Sequence, residues 1–402
     1  MGFERDLVSK IRLELENEEI SLIVGPRQSG KTTILHQVGG YVKSANISNY
    51  FLNLEDPDYL NLLNESPKNL FKIFTINLSE RTILFVDEIQ YLKDPSNFLK
   101  YFFDEYRGKI KIIATGSSAF YMDRKFKDSL VGRKIIFTLL TLSFKEFLRF
   151  KGEEDLSKAK FDQLSLDEKG KVIPYYIEYI TYGGYPKVVV SSKGKKEEIL
   201  RDIAYSYIKK DVLESNIKQD EVFYRLMKML SSQIGNLVNS NEIASTLGVS
   251  KTAIENYLYV MQKSFHIGLI PPFYKNVRKE LTKMPKVYFV DLGLRNFFRG
   301  DFKSIVERED SGPLLENSVF RQLLETVGKE DIRFWRTTDQ KEVDFVVKGK
   351  RAYEVKYNLS GVKSSRYQTF LESYPNIKFY FVCFDAKDTV NQNQAVLEPW
   401  AL

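Results

Sequence analysis

"ISLIVGPRQSGKTTILHQV", residues 20–38, runs from an apolar, β-branched strand through a Gly-bounded loop into a helix that begins near Gly30. Gly25, Gly30, Lys31 and Thr32 fill every fixed position of a phosphate-binding loop. The glycines let the backbone curl so that successive amides and the helix N-terminus face phosphate oxygens. Lys31 then reaches the β and γ oxygens, and the Thr32 hydroxyl ligates magnesium. Pro26, Arg27, Gln28, Ser29 and Thr33 complete the expected nucleotide-binding set. A strand feeding such a loop and helix predicts an α/β domain with a parallel sheet.

Two further apolar runs supply what that chemistry needs. "RTILFVDEIQYL", residues 81–92, is a buried strand ending in Asp87 and Glu88. At the carboxyl end of a parallel strand, Asp87 is placed to hold the magnesium and Glu88 to polarise the attacking water. "KIIATGSSAF", residues 111–120, is a third strand ending in Thr115, Gly116, Ser117 and Ser118. It either brings a hydroxyl, Ser117, near the γ-phosphate or is a strand followed by a polar turn.

Composition narrows the remaining chemistry. The 402 residues suffice for roughly two to four domains. No apolar run approaches the roughly 18 residues of a membrane span, and "MGFERDLVSK" lacks a signal-like apolar region, so no membrane partner and a cytoplasmic location are expected. The single cysteine, Cys383, lies in the apolar run "FYFVCF" and reads as core; with it an internal disulfide is excluded. Two histidines, His36 and His266, leave little room for zinc or triad chemistry, which points to carboxylates, lysines and a hard cation. The net charge is +7, and residues 250–300 alone carry nine Lys and Arg against three acids, which favours a polyanion such as DNA as partner.

Toward the C-terminus, "EVDFVVKGKRAYEVK", residues 342–356, reads as a hairpin turning at Lys348-Gly349-Lys350. That register sets Asp344 opposite Glu354, with Lys356 two residues further on the same face. Opposed like charges destabilise a sheet, so either a cation lies between the carboxylates or Lys356 offsets them. Around the hairpin the elements run helix ("LLENSVFRQLLETV", carrying Glu316), strand ("DIRFWRT"), the two hairpin strands, helix and strand ("IKFYFVCF").

Between these ends, residues 150–180 are charged and poor in large apolar side chains, and read as a surface linker or insertion. "SNEIASTLGVSKTAIENYLYVMQKSF" has the form of a helix-turn-helix, capped at Asn239 or Ser240 and again at Ser250. "HIGLIPPFYKNVRKELTKMPKVYFV" then outlines a strand, a basic tip and a return strand, as in a winged helix. Lys251 on the second helix and Lys275, Arg278, Lys279 and Lys283 on the wing are the candidate nucleic-acid contacts. Such modules also dock protein subunits, and both readings stand.

"GPRQSGKTT", "FVDEIQ", "ATGSSA", "SLVGR" (129–133), "TLSFKEFL" (141–148) and "YGGYPKVV" (182–189) together resemble the archaeal and bacterial AAA+ family of P-loop ATPases whose carboxy-terminal region is related to restriction endonucleases. The resemblance extends from about residue 18 to 385. It implies ATP (or ADP) and Mg2+ as ligands, a sensing role for the hydroxyl at Ser117, and a transition-state role for Arg133, in cis or from a neighbouring subunit of a homo-oligomer. The carboxy-terminal element order resembles the PD-(D/E)xK nucleases. By position, Asp344 and Glu354 would bind magnesium, Glu316 would assist, and Lys356 would position the attacking water. Val343 stands where a proline often precedes the aspartate. The implied architecture is α/β: a P-loop AAA+ parallel-sheet core over 1–150, a linker and helical lid over 151–215, a winged helix over 216–295, and a restriction-endonuclease-like α/β domain over 296–402. The implied function is ATP hydrolysis whose nucleotide state controls a magnesium nuclease acting on DNA; the alternative is a switch whose last domain holds DNA or a partner protein without cleaving.

Overall fold

The computed structural model describes residues 3–116, 130–214, 220–274, 283–360, 362–385 and 395–402. It falls into two compact units, one of Met1–Leu140 with Lys263–Phe265, the other of Thr141–Gln262 with His266–Leu402.

In the first unit, β1 (Ile20–Val24), β2 (Ser48–Asn53), β3 (Thr82–Asp87), β4 (Ile110–Gly116) and β5 (Lys134–Thr138) form one parallel sheet in the order β2-β3-β4-β1-β5. Strands β1, β3 and β4 are buried along their whole length, as parallel strands covered on both faces must be. The side chains divide with a period of two. Ile23, Ile83, Phe85 and Ile113 pack under the helices Asp6–Leu13 and Lys31–Ser44, while Leu22, Leu84, Val86 and Ile112 pack against Phe98, Leu99 and Phe102 of the helix Pro95–Glu105. Since β4 separates β1 from β3, the loop after β1 and the acids after β3 emerge along the same carboxyl edge, on either side of Thr115.

The second unit contains a five-stranded sheet in the order β12-β11-β10-β9-β8, formed by β8 (Ile332–Arg336), β9 (Glu342–Val347), β10 (Arg351–Asn358), β11 (Lys378–Asp385) and β12 (Ala395–Leu397). β9 runs antiparallel to β8 and β10, and β10 to β12 run parallel. The helix Ser311–Val327 covers one face through Leu315, Val319 and Phe320, against Phe345, Val347 and Tyr353. Phe370 of the short helix Gln368–Ser373 covers the other, against Val346, Ala352 and Phe381. The hairpin pairs Val347 with Arg351 and Phe345 with Tyr353, the register that brings Asp344 and Glu354 opposite.

Ahead of this sheet, the helices Ser240–Leu247 and Lys251–Lys263 meet at Gly248, whose φ of 70° closes the first helix. Asn239 caps that helix, accepting from the amides of Asn241 and Glu242. β6 (Ile267–Ile270) and β7 (Lys286–Phe289) follow as an antiparallel pair. They are tied to the last sheet: Asn317 bonds both the amide and the carbonyl of Phe289, at 2.8 and 2.7 Å, and the Phe273 amide donates to the Phe334 carbonyl.

One expectation is corrected. Residues 150–180 are not a surface insertion: Leu156, Phe161, Leu164, Val172, Tyr176 and Tyr179 are buried in the same core as Phe345. Their charged neighbours dilute the composition, and Pro174 lies inside the helix Leu166–Tyr182 and masks its periodicity. The "GGYP" turn that ends this helix is a packing junction. A Cβ on Gly183 would lie 2.2 Å from Asp291 Oδ1, and one on Gly184 would lie 2.5 Å from the Leu142 carbonyl. Asp291 accepts from the Gly184 amide and caps the helix Leu292–Arg299.

Candidate active site and carboxylate cluster

The loop after β1 is built for close backbone approach. A Cβ on Gly25 would lie 1.9 Å from the Leu139 carbonyl oxygen, and Gly30 (φ 98°) and Gln28 (φ 55°) hold left-handed conformations. Gly30 precedes the helix Lys31–Ser44 and offers its amides no side-chain cap, so that helix end presents donors to an anion. The Lys31 ammonium donates to the carbonyls of Gly25 and Pro26 at 3.0 and 2.9 Å. Arg5, which the sequence reading missed, is 5% exposed and braces the loop from behind. Its guanidinium donates to the Ser29 carbonyl at 2.7 Å and the Leu140 carbonyl at 3.0 Å.

Across the sheet edge the Thr32 hydroxyl donates to Asp87 Oδ2 at 2.7 Å, and the Thr115 hydroxyl donates to Oδ1. Thr115 in turn accepts from the Glu88 amide at 3.0 Å, with Glu88 in the left-handed region at φ 56°. The Gln90 side-chain amide donates to the Glu88 carboxylate. Thr32, Asp87 and Glu88 therefore gather at one point, and the adjoining oxygens of Thr32 and Asp87 fit magnesium, a hard cation that keeps oxygen ligands and waters. Pro26 and Ser29 are buried, whereas Gln28, Thr32 and Thr33 are exposed. Ser117 lies outside the described residues; on the described part of that strand, the hydroxyl at the site is Thr115.

Arg133 is not at this site in its own chain. Its carbonyl accepts from the Ile20 amide, at the opposite end of β1 from the loop; five residues of extended strand, about 17 Å, lie between. Its guanidinium pairs with Asp104 at 2.8 Å. A role in cis is therefore overturned.

In the second unit the predicted carboxylates converge, together with a lysine that was not expected. Asp344 Oδ2 accepts from the Val355 amide at 2.8 Å. Glu354 Oε1 accepts from the Lys356 ammonium at 2.5 Å and the Tyr367 hydroxyl at 2.9 Å, while its Oε2 is buried with no partner among the described residues. Lys286, at the start of β7 and 1% exposed, lies 2.6 Å from Glu342 Oε1, 3.1 Å from Glu316 Oε1 and 3.7 Å from Asp344 Oδ1. Tyr288 also donates to Glu316 Oε1. Burial, and then the charge of Asp344, push both Glu316 and Glu354 above the usual carboxylate range. Among the described residues no three His, Cys, Asp or Glu side chains form a group that could hold a metal ion. Magnesium thus does not fit between Glu316, Asp344 and Glu354 as they stand, since the Lys286 ammonium lies against the first two and Lys356 against the third.

Of the candidate nucleic-acid contacts, Lys275, Arg278 and Lys279 lie outside the described residues. Lys251 and Lys283 are exposed, Lys251 forming a 3.4 Å pair with Glu255 on the same helix. The charge of the 250–300 segment needs correction as a surface property. Lys286 is internal, and so is Arg295, 1% exposed and bonded to Asp310. Cys383 is buried, as expected of a core residue, and its thiol is pushed up to about 11 by burial. No helix among the described residues is long and apolar enough to cross a membrane.

Residues 17–148 match an AAA domain, and residues 173–304 and 311–400 match two domains of unknown function (DUF8612 and DUF4143). An uncharacterized protein of Methanocaldococcus jannaschii is 29% identical over 89% of this chain and 78% of its own length. An uncharacterized protein of Haemophilus influenzae is 27% identical over 85% of this chain and 82% of its own. Among solved structures, the Aeropyrum pernix ORC2 protein in its ADP form aligns with a TM-score of 0.35 at 11% identity, covering 74% of this chain and 93% of that one. The first unit thus carries an AAA domain on a parallel α/β sheet, and the second a separate sheet of its own.

Proposed function

We propose that the chain binds ATP at the loop 25–32 and hydrolyses it to ADP and phosphate. The observation that carries this reading is the meeting of Thr32, Asp87, Thr115 and Glu88 at the carboxyl edge of the sheet, directly beside the Gly-bounded loop. Magnesium, held by Thr32 and Asp87, would screen the β and γ charges. Lys31 exchanges its two carbonyl partners for phosphate oxygens, which leaves those carbonyls to the solvent and its charge to the substrate. Glu88, held in place by its own backbone bond and by Gln90, orients and deprotonates the attacking water. Arg133 would serve only from a neighbouring copy in a homo-oligomer, after release from Asp104.

For the carboxy-terminal domain the cations already among the carboxylates favour the alternative: an ATP-dependent switch whose last domain holds DNA or a partner protein without cleaving. Control of a magnesium nuclease requires a metal site, and the Lys286 ammonium already lies against Glu316 and Asp344. DNA association rests on the exposed outer face of the helix Lys251–Lys263, with Lys251, Thr252, Asn256 and Tyr259 outward.

ATP turnover tests the first part. Lys31→Ala should lose tight ATP binding, and Glu88→Gln should bind ATP but hydrolyse it at least a hundredfold more slowly, on the order of what a positioned base contributes. Equal turnover by wild type and Glu88→Gln would refute the assignment.

A further inference from the structure

We propose that Lys286 is the resident cation of the carboxylate cluster: its ammonium holds the position a divalent metal would need, and the cluster takes up metal only when that ammonium is removed. The inference goes beyond the ATPase reading and does not depend on it.

Four oxygens of the cluster are already engaged. Asp344 Oδ2 is taken by the Val355 amide, and Oδ1 faces Lys286. Glu316 Oε1 is shared by Lys286 and Tyr288, and Glu354 Oε1 by Lys356 and Tyr367. A magnesium ion would require contacts near 2.0–2.1 Å in close to octahedral array. It cannot take Asp344 Oδ1 and Glu316 Oε1 while a positive ammonium stands 3.7 and 3.1 Å from the same two atoms. Lys286 is also no mobile surface side chain. Its backbone pairs with Ile270 across β6 and bridges to Leu237, so the ammonium is delivered by a fixed strand.

A second observation shows that the cluster is poised rather than saturated. Glu354, set opposite Asp344 by the hairpin register, has its Oε2 buried and without a partner among the described residues, an acceptor that a cation would satisfy. Removing Lys286 would leave Glu316, Glu342 and Asp344 without their shared counter-charge and free the space between them. Hard carboxylate oxygens then select a divalent cation such as Mn2+ or Mg2+.

The experiment is titration of the full chain with Mn2+ in the absence of nucleotide, followed by calorimetry and by the electron paramagnetic resonance of free Mn2+. Wild type, Asp344→Asn, Lys286→Ala, and Lys286→Ala combined with Asp344→Asn are compared. Lys286→Met, which keeps the buried stem, replaces the alanine variant should that one not fold. The expected result is at least tenfold tighter Mn2+ binding in the lysine variant than in wild type, abolished by Asp344→Asn. Tight binding in wild type that Asp344→Asn removes would overturn the proposal, because the metal would then coexist with the ammonium. Equally weak binding in wild type and the Lys286 variants would overturn it too, because the ammonium would then not be what keeps metal out.

Discussion

Glu354 has one oxygen bonded to Lys356 and Tyr367 and the other bonded to no described group, and its burial favours the protonated form. Its carboxyl is pushed up to about 8, and that of Glu316 to about 7, from 4.5. Between the ordinary and raised values the folded chain holds protons that the unfolded chain has lost, so the contribution of these two carboxyls to stability is full below the ordinary carboxylate range and is lost as pH rises toward 8. Wild type should therefore lose stability between pH 5 and 8 in denaturant unfolding. Glu354→Gln should show a shallower decline, with the remainder due to Glu316, and Lys356 is sufficiently exposed to turn to water once its partner is neutral. An unchanged slope in the variant would show that Glu354 is ionised throughout.

Elements differ in how openly the sequence announced them. The phosphate loop was legible because its fixed residues follow one another, and the hairpin because strand side chains alternate with a period of two. Lys286 was not. It stands in the basic stretch "TKMPKVYFV", where an additional lysine reads as solvated charge, and its acids come from the separate segments 311–327 and 342–347. Arg5 was hidden for the same reason: its partners, Ser29 and Leu140, are remote in sequence, and they are carbonyls, which every residue has. The helix Leu166–Tyr182 was missed because its first residues, 166–171, are mostly charged and Pro174 interrupts the apolar run that follows. With Lys286 and Arg295 internal, the surface charge of residues 250–300 is smaller than their composition. If Lys251 and Lys283 each touch a phosphate, Lys251→Ala and Lys283→Ala should each lower the slope of log affinity against log salt by about 0.9. Unchanged affinity and slope in both variants would assign this face to a protein partner.

On the scale of the whole molecule, β6 and β7 are joined to the last sheet and its covering helix as well as to residues 235–238 ahead of them. Asn317 closes both backbone bonds of Phe289, Phe273 bonds to Phe334, and a Cβ on Gly268 would lie 2.4 Å from the Phe320 ring. A fragment of residues 296–402 leaves Glu316, Glu342 and Asp344 without Lys286 and strips one face of the helix Ser311–Val327. Circular dichroism with heating should show no cooperative transition for that fragment, whereas residues 141–402, which keep the second unit intact, should melt in one step. A cooperative melt of 296–402 would locate a seam that the contacts argue against. The same lysine limits how such a chain can be reshuffled during evolution. A crossover after β7 with a homologous gene that has neither the lysine nor the carboxylates hands one descendant carboxylates without their cation and gives the other a buried ammonium without its anions. Either offspring inherits a charge it must neutralise before it can fold, so the two segments are expected to travel through recombination as a single heritable block.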